Sequence, residues 1–156
     1  MSAKNHNIGN AGEFYVLAQL CQRGIIAGKT DDGQTLIDII ATDPVSLETV
    51  NIQVKTRSKD GNGWIMSAKN ETAYARLWYV LVQLNGADQM PDFFIFHSTE
   101  IGPWIKTDHA NWLEEPKRDG KARKDTPMRR FRPTAQRLQD AKDNWSIMFP
   151  DSLVQA

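Results

Sequence analysis

Residues 36–57 read LIDIIATDPVSLETVNIQVKTR, and the fold turns on this stretch. Residues 36–41 form an apolar run interrupted by one carboxylate, Asp38, and Asp43-Pro44 ends the run. After a short turn, residues 50–56 alternate: Val50, Ile52 and Val54 point one way, and Asn51, Gln53 and Lys55 the other. A period of two marks a strand covered on one face. The spacing predicts a hairpin turning around Val45 and Ser46, in which Asp38 lies opposite Gln53 and Leu36 opposite Lys55. Directly paired residues on antiparallel strands share a face, with Cβ atoms about 5 Å apart. Lys55, two residues from Gln53, lies on that face as well. An aspartate can interrupt a strand at an edge or by bonding a nearby amide. Buried among Leu36, Ile37, Ile39 and Ile40 without partners, however, it would be costly.

A carboxylate, an amide oxygen and an ammonium within one side-chain reach have a specific chemical use. Mg²⁺ takes hard oxygen ligands at about 2.1 Å and keeps several waters. Asp38, Gln53 and the backbone carbonyl of Val54 would supply three such ligands. The cation would polarise a scissile phosphate and lower the pKa of a bound water. Lys55 would orient that water or offset charge developing on the phosphorane.

Upstream, residues 8–23 are predicted helical, with Ala11, Phe14, Leu17, Ala18 and Cys21 at helical spacing and Gly24 as a left-handed stop. Ile25 and Ile26 suggest a short strand, followed by a loop over residues 30–33. Downstream, residues 59–63 form a turn, and residues 77–84 (LWYVLVQL) and 93–97 (FFIFH) read as buried strands with Asn85-Gly86 opening the loop between them. Ser98 or Thr99 would cap a helix through Trp104 and Trp112, with Pro103 restricting its start to about Gly102. A final helix is expected over about 134–148. This order gives an α/β class: helices around a mixed sheet of about five strands.

The pattern of Glu13 on the first helix, Ile37-Asp38 on one strand and Gln53-Val54-Lys55 on the next resembles the PD-(D/E)XK nuclease superfamily. In layout it is similar to Holliday-junction resolvases and restriction-endonuclease-like proteins. The match covers about residues 8–57, and weaker similarity in strand order runs on to about residue 97. The resemblance implies a three-layer αβββαβ core with C-terminal helices and a Mg²⁺- or Mn²⁺-dependent endonuclease acting on double-stranded or branched DNA. In it, Asp38 would be the essential metal ligand, Lys55 the catalytic lysine and Glu13 the helix carboxylate that completes the site. Ile37 stands where the superfamily has proline. Gln53 stands where a carboxylate is more usual, so one negative charge is missing; the alternative reading is a nuclease-fold DNA-binding or assembly module with weak or no catalysis. Glu13 has a second explanation too, since residues 10–13 (NAGE) fit a capping box with Asn10 as N-cap.

A basic segment, about 116–133, is the other feature. Lys117, Arg118, Lys121, Arg123, Lys124, Arg129, Arg130 and Arg132, set against Asp119 and Asp125, leave a formal local charge of +6. Such a run either tracks phosphates or is a solvated loop, with Phe131 anchoring it to the body. The five tryptophans read as packing residues, with Trp64 the one placed to stack on a base, directly after the turn that follows Lys55. His109 lies three residues before Trp112, so the two share a helix side; with His6 and His97 scattered, no histidine metal motif is present.

The bulk numbers set bounds. With 156 residues the prior is one domain over 1–156, able to bury roughly 70% of its unfolded surface. A formal net charge of zero means that nucleic-acid binding has to come from local clustering. The single cysteine, Cys21, rules out an internal disulfide and an all-cysteine zinc site, and is expected to be a small buried hydrophobe. A polar N-terminal segment and no apolar run of ~18 residues point to a cytoplasmic protein. Cutting two strands takes two sites, which makes a homodimer the expected assembly.

Overall fold

A computed structural model describes residues 3–31 and 36–150. Its core is a five-stranded mixed sheet in the order β1-β2-β3-β5-β6, where β1 is Ile26–Lys29, β2 Ile39–Thr42, β3 Thr49–Ser58, β5 Leu77–Leu84 and β6 Asp92–His97. β3 and β5 run parallel, and every other neighbouring pair is antiparallel. Helix α1 (Ala3–Gln22) lies on one face. Helix α2 (Ser98–Glu114) lies on the other, together with a two-stranded ribbon of β4 (Trp64–Ser67) and β7 (Met128–Phe131). A short helix, α3 (Ala135–Ala141), follows β7. The arrangement is αβββαβ-like, with β4 and a 3₁₀ turn (Ala68–Glu71) in the crossover from β3 to β5. Among the described residues no helix is long and apolar enough to cross a membrane.

Strand alternation explains the layers. In β5, Val80 and Val82 join β3's Val50, Ile52 and Val54 under α1, while Leu77, Tyr79 and Leu81 join Phe96, Ile101 and Trp64 on the α2 side. Both faces of the central strands are therefore apolar, which is why residues 77–84 read as a continuous run.

Several expectations need correction. α1 starts at Ala3, so Asn10 is inside the helix and caps nothing. Its buried stripe is Gly12, Val16 and Leu20; Phe14 is 60% exposed and Cys21 is exposed. The reason is contact with Thr56 of β3, so close that only a glycine fits at position 12. α1 ends as expected at Gly24 (φ 75), with the Ile25 N–H donating back to the Leu20 carbonyl. Part of the loop expected over 30–33 lies outside the described residues.

α2 begins at Ser98 and runs through Pro103. Its first turn is held from outside: the His97 side chain accepts the Thr99 N–H, and Ser98 Oγ both accepts from and donates to the backbone of Tyr74. The bond lost at Pro103 is thereby tolerated. The long C-terminal helix is replaced by the seven-residue α3 and a 3₁₀ turn (Trp145–Met148). Between them Asp143 adopts a left-handed φ of 52 and donates its N–H to Phe93 on the edge of β6. That break lets Trp145, Met148 and Phe149 close the core beneath α1.

Candidate active site

The β2–β3 hairpin has the register expected from alternation: Ile39 pairs with Ile52 and Thr42 with Thr49. Strand β2, however, begins at Ile39 and not at Leu36, while β3 runs on to Ser58. The far half of β3 thus has no strand beside it on that side, and the gap is a cleft of about 690 Å³. Asp38 stands at its head. Its N–H donates to the Ile52 carbonyl at 2.9 Å, and its Oδ2 accepts the Val54 N–H at 2.7 Å. The carboxylate thus takes the place of a ladder carbonyl. The N–H and C=O of one strand residue face the same neighbour, so the Val54 carbonyl lies on Asp38's side of β3.

Glu13, Asp38, Val54 and Lys55 all line this cleft. Burial raises the Asp38 pKa above its ordinary 3.8, the Val54 N–H opposes the rise, and repulsion from Glu13 adds to it. Burial lowers the Lys55 pKa from 10.5 against the pull of Asp38 and Glu13. Burial thus disfavours the charged form of both groups. Lys29 of β1 meets Glu13 Oε2 at 2.6 Å and lends positive charge to the carboxylate pair.

Gln53 is placed differently. It is 6% exposed, on the α2 side of the sheet, and does not contribute to the cleft lining. Its Oε1 accepts from Asn70 Nδ2 at 2.6 Å, and the same nitrogen reaches Tyr79 Oη at 3.0 Å. The Asn70 amide is oriented by the Ser67 N–H and hydroxyl, which both donate to Oδ1. Local pattern could not reveal Asn70, because a crossover delivers it.

Arg57, which the sequence reading passed over, lines the cleft two residues beyond Lys55. Alternation from Gln53 through Lys55 was the available signal. Its guanidinium lies 3.7 Å over the Trp64 ring and donates to Gly61 O and Gln83 Oε1. Trp64, 1% exposed, is core and offers no face to a base.

The basic segment divides by environment. Lys117, Arg118, Lys121 and Lys124 are exposed in irregular chain. Arg123 stacks on Trp112 and donates to the Glu115 carbonyl, and Arg132 pairs with Asp108 at 3.6 Å. Arg129 is buried at 8% exposure and bonded to Glu71. Arg130 alone of the eight lines the cleft. His109 stacks on Trp112 and pairs with Asp125 at 2.7 Å.

No family model matches the chain, and no curated protein sequence matches it. Among solved structures it is similar to a bacterial homing endonuclease, with a TM-score of 0.55 at 11% identity over 96% of this chain and 95% of that one. The chain has a restriction-endonuclease-like fold. At that identity the likeness speaks to fold alone, and the site rests on its own residues. Among the described residues no three His, Cys, Asp or Glu side chains gather to hold a metal ion. The carboxylates that line the cleft are Glu13, Asp31 and Asp38, and the Val54 carbonyl adds a strand oxygen. That set suits a hard cation such as Mg²⁺, which binds through one or two carboxylates and keeps most of its waters.

Proposed function

We propose that this protein is a metal-dependent DNA endonuclease whose chemistry lies in the cleft beside β3. The observation that carries the reading is the gathering of Asp38, Glu13 and Lys55 in one notch, where burial strains the charges of Asp38 and Lys55. Asp38, Glu13 and the Val54 carbonyl would hold a Mg²⁺ or Mn²⁺ ion. Such a cation supplies a Lewis acid for the scissile phosphate and a more acidic water. Asp38 is anchored to the β3 backbone, so its free oxygen is aimed without a flexible search. Lys55 faces the phosphate and offsets the negative charge that builds during attack; burial strengthens that effect by excluding solvent screening. Cutting both strands of a duplex would take two copies.

The test is cleavage of plasmid and branched DNA with Mg²⁺ or Mn²⁺. Asp38→Ala and Lys55→Ala should each lose roughly 100-fold or more in rate. Undiminished cleavage by both variants would place the chemistry elsewhere.

A second reading, a nuclease-fold DNA-binding or assembly module without catalysis, has its own support. Gln53 spends its oxygen on Asn70, and among the described residues no three acidic, histidine or cysteine side chains gather to hold a metal ion. This reading needs nothing beyond the geometry as it stands. Mn²⁺ titration separates the two: the enzyme binds Mn²⁺ and loses that binding in Asp38→Ala, whereas the module binds DNA with no metal affinity.

A further inference from the structure

The β4–β7 ribbon is a separate two-stranded sheet, and its inner face is packed into the core. Trp64 and Met66 on β4, and Arg129 and Phe131 on β7, are buried. The outer face carries Ile65 and Ser67 from β4 and Met128 and Arg130 from β7, in register as Ile65 opposite Arg130 and Ser67 opposite Met128. Ile65 is 59% exposed and Met128 51% exposed.

This face borders the cleft. Ile65, Ser67 and Arg130 line it, while Met128 and Arg130 line a second concavity against His109 and Trp112 on α2. The ribbon is therefore the ridge between the candidate active site and a neighbouring groove. Arg130 sits on the crest. One of its nitrogens donates to the Asn62 carbonyl at 2.6 Å, and no carboxylate among the described residues pairs with it. By contrast, Arg129 and Arg132 on either side have acid partners. The chain enters β7 from the exposed lysines and arginine of the segment carrying +6, so the approach to the ridge is cationic.

We propose that the outer face of this ribbon enters the major groove of duplex DNA and reads base edges beside the cut. The inference rests on DNA being the substrate of the cleft. The major groove, about 12 Å wide, admits a two-stranded ribbon. Side chains two residues apart on a strand stand about 7 Å from each other, close to two base-pair steps. The four outward residues therefore match a patch of two to three base pairs. Three of the four fit base readout: the open nitrogens of Arg130 suit the O6 and N7 acceptors of guanine, and Ile65 and Met128 suit thymine methyl groups, while the Ser67 hydroxyl is held by Asn70. The exposed Lys117, Arg118 and Lys124 would meet phosphates, which position without reading.

The experiment is selection from a randomised duplex library by the full chain in EDTA, so that no cutting occurs, repeated with Arg130→Ala and with Ile65→Ala/Met128→Ala. All three positions are at the surface, and circular dichroism checks that the variants fold. The wild type should enrich a sequence preference. Arg130→Ala should lose a guanine preference at one position, with binding to the selected site weakened roughly 5- to 150-fold and binding to scrambled duplex little changed. The apolar pair should relax an adjacent thymine position. Identical preferences in all variants, or no preference in the wild type, overturn the proposal. Metal-dependent cleavage that persists with either of those results leaves the hydrolytic reading intact; ribbon-dependent preference in a chain that never cuts does the reverse.

Discussion

Replacing Gly12 by alanine sets two known effects against each other. Gly12 lies in the middle of α1, where alanine is favoured over glycine by about 1 kcal/mol. A Cβ there would overlap Thr56 Oγ1 outright and stand 3.0 and 3.1 Å from Thr56 Cβ and Cγ2. Thr56 has little room to step aside, because a β-branched side chain is restricted at χ1 and its Cβ would still stand 3.0 Å from the new methyl. The remaining relief is to lift α1 off β3, and overpacking of this kind costs about 1–3 kcal/mol. The clash should at least offset that gain, leaving Gly12→Ala up to about 2 kcal/mol less stable, a fall in Tm of up to about 8 °C for a chain of this size. Thr56→Ala removes the overlapping atoms. Its Oγ1 is buried without a hydrogen-bond partner, so its loss forfeits no bond. The double variant should accordingly be as stable as Thr56→Ala alone or up to about 1 kcal/mol more stable, with a coupling energy of about 1 kcal/mol or more. Urea denaturation followed by circular dichroism and tryptophan fluorescence measures all four corners of the cycle. Because Glu13 follows Gly12 directly, cleavage by Gly12→Ala should fall as well and recover in the double variant. A Gly12→Ala protein more stable than wild type, or strict additivity, would refute the close packing of α1 on β3.

Two further outcomes follow from the cleft. Asp38 has a folded pKa above its ordinary 3.8, owing to burial first and then Glu13, against Lys55 and Lys29. Ionising it therefore costs the folded state nothing below pH 3.8 and the full amount above the raised value; measured by thermal melts in EDTA, Asp38→Asn should gain stability over wild type as pH climbs through that window and match it below. Gln53→Glu keeps an oxygen for Asn70 but adds a second buried carboxylate near Asp38. It should lower the Tm without metal and show a larger Mn²⁺-induced rise in Tm than wild type through the added negative charge, and equal rises in the two proteins would show that charge at position 53 does not act on the cation.

The legible parts of the fold were those in which the pattern and its partner lie close in sequence. The β2–β3 register followed from alternation over residues 50–56, because a one-residue slip would have turned Val50, Ile52 and Val54 out of the core. The ribbon was illegible for the opposite reason. Trp64 pairs with Phe131, and four residues of alternation on each side do not stand out from a loop. Apolar size does not reveal the buried face of α1, because the closest contact is made by Gly12, which has no side chain to count. The basic run was legible as a run, but its division was not. Whether an arginine is spent on Glu71, as Arg129 is, or left on a crest, as Arg130 is, depends on which face of a four-residue strand it occupies.

Gln53 shows how far residue type alone carries. Alternation placed it correctly beside Lys55 on β3, yet its environment is set by Asn70 and Tyr79, from a 3₁₀ turn and a parallel strand that local spacing does not reach. With those neighbours, an amide at this position has a physical logic. Asp38 is already pushed towards its neutral form by burial and by Glu13. A carboxylate at position 53, 6% exposed, would add a further acid to that region before any cation had arrived to offset it. The amide keeps an oxygen there without a charge and binds it to a fixed partner, so no further acid is set beside Asp38 and Glu13, whose charges Lys29 and Lys55 help to balance. The same economy weakens the pull on a divalent ion. Metal affinity, and not the fold, is therefore the quantity on which the two functional readings divide.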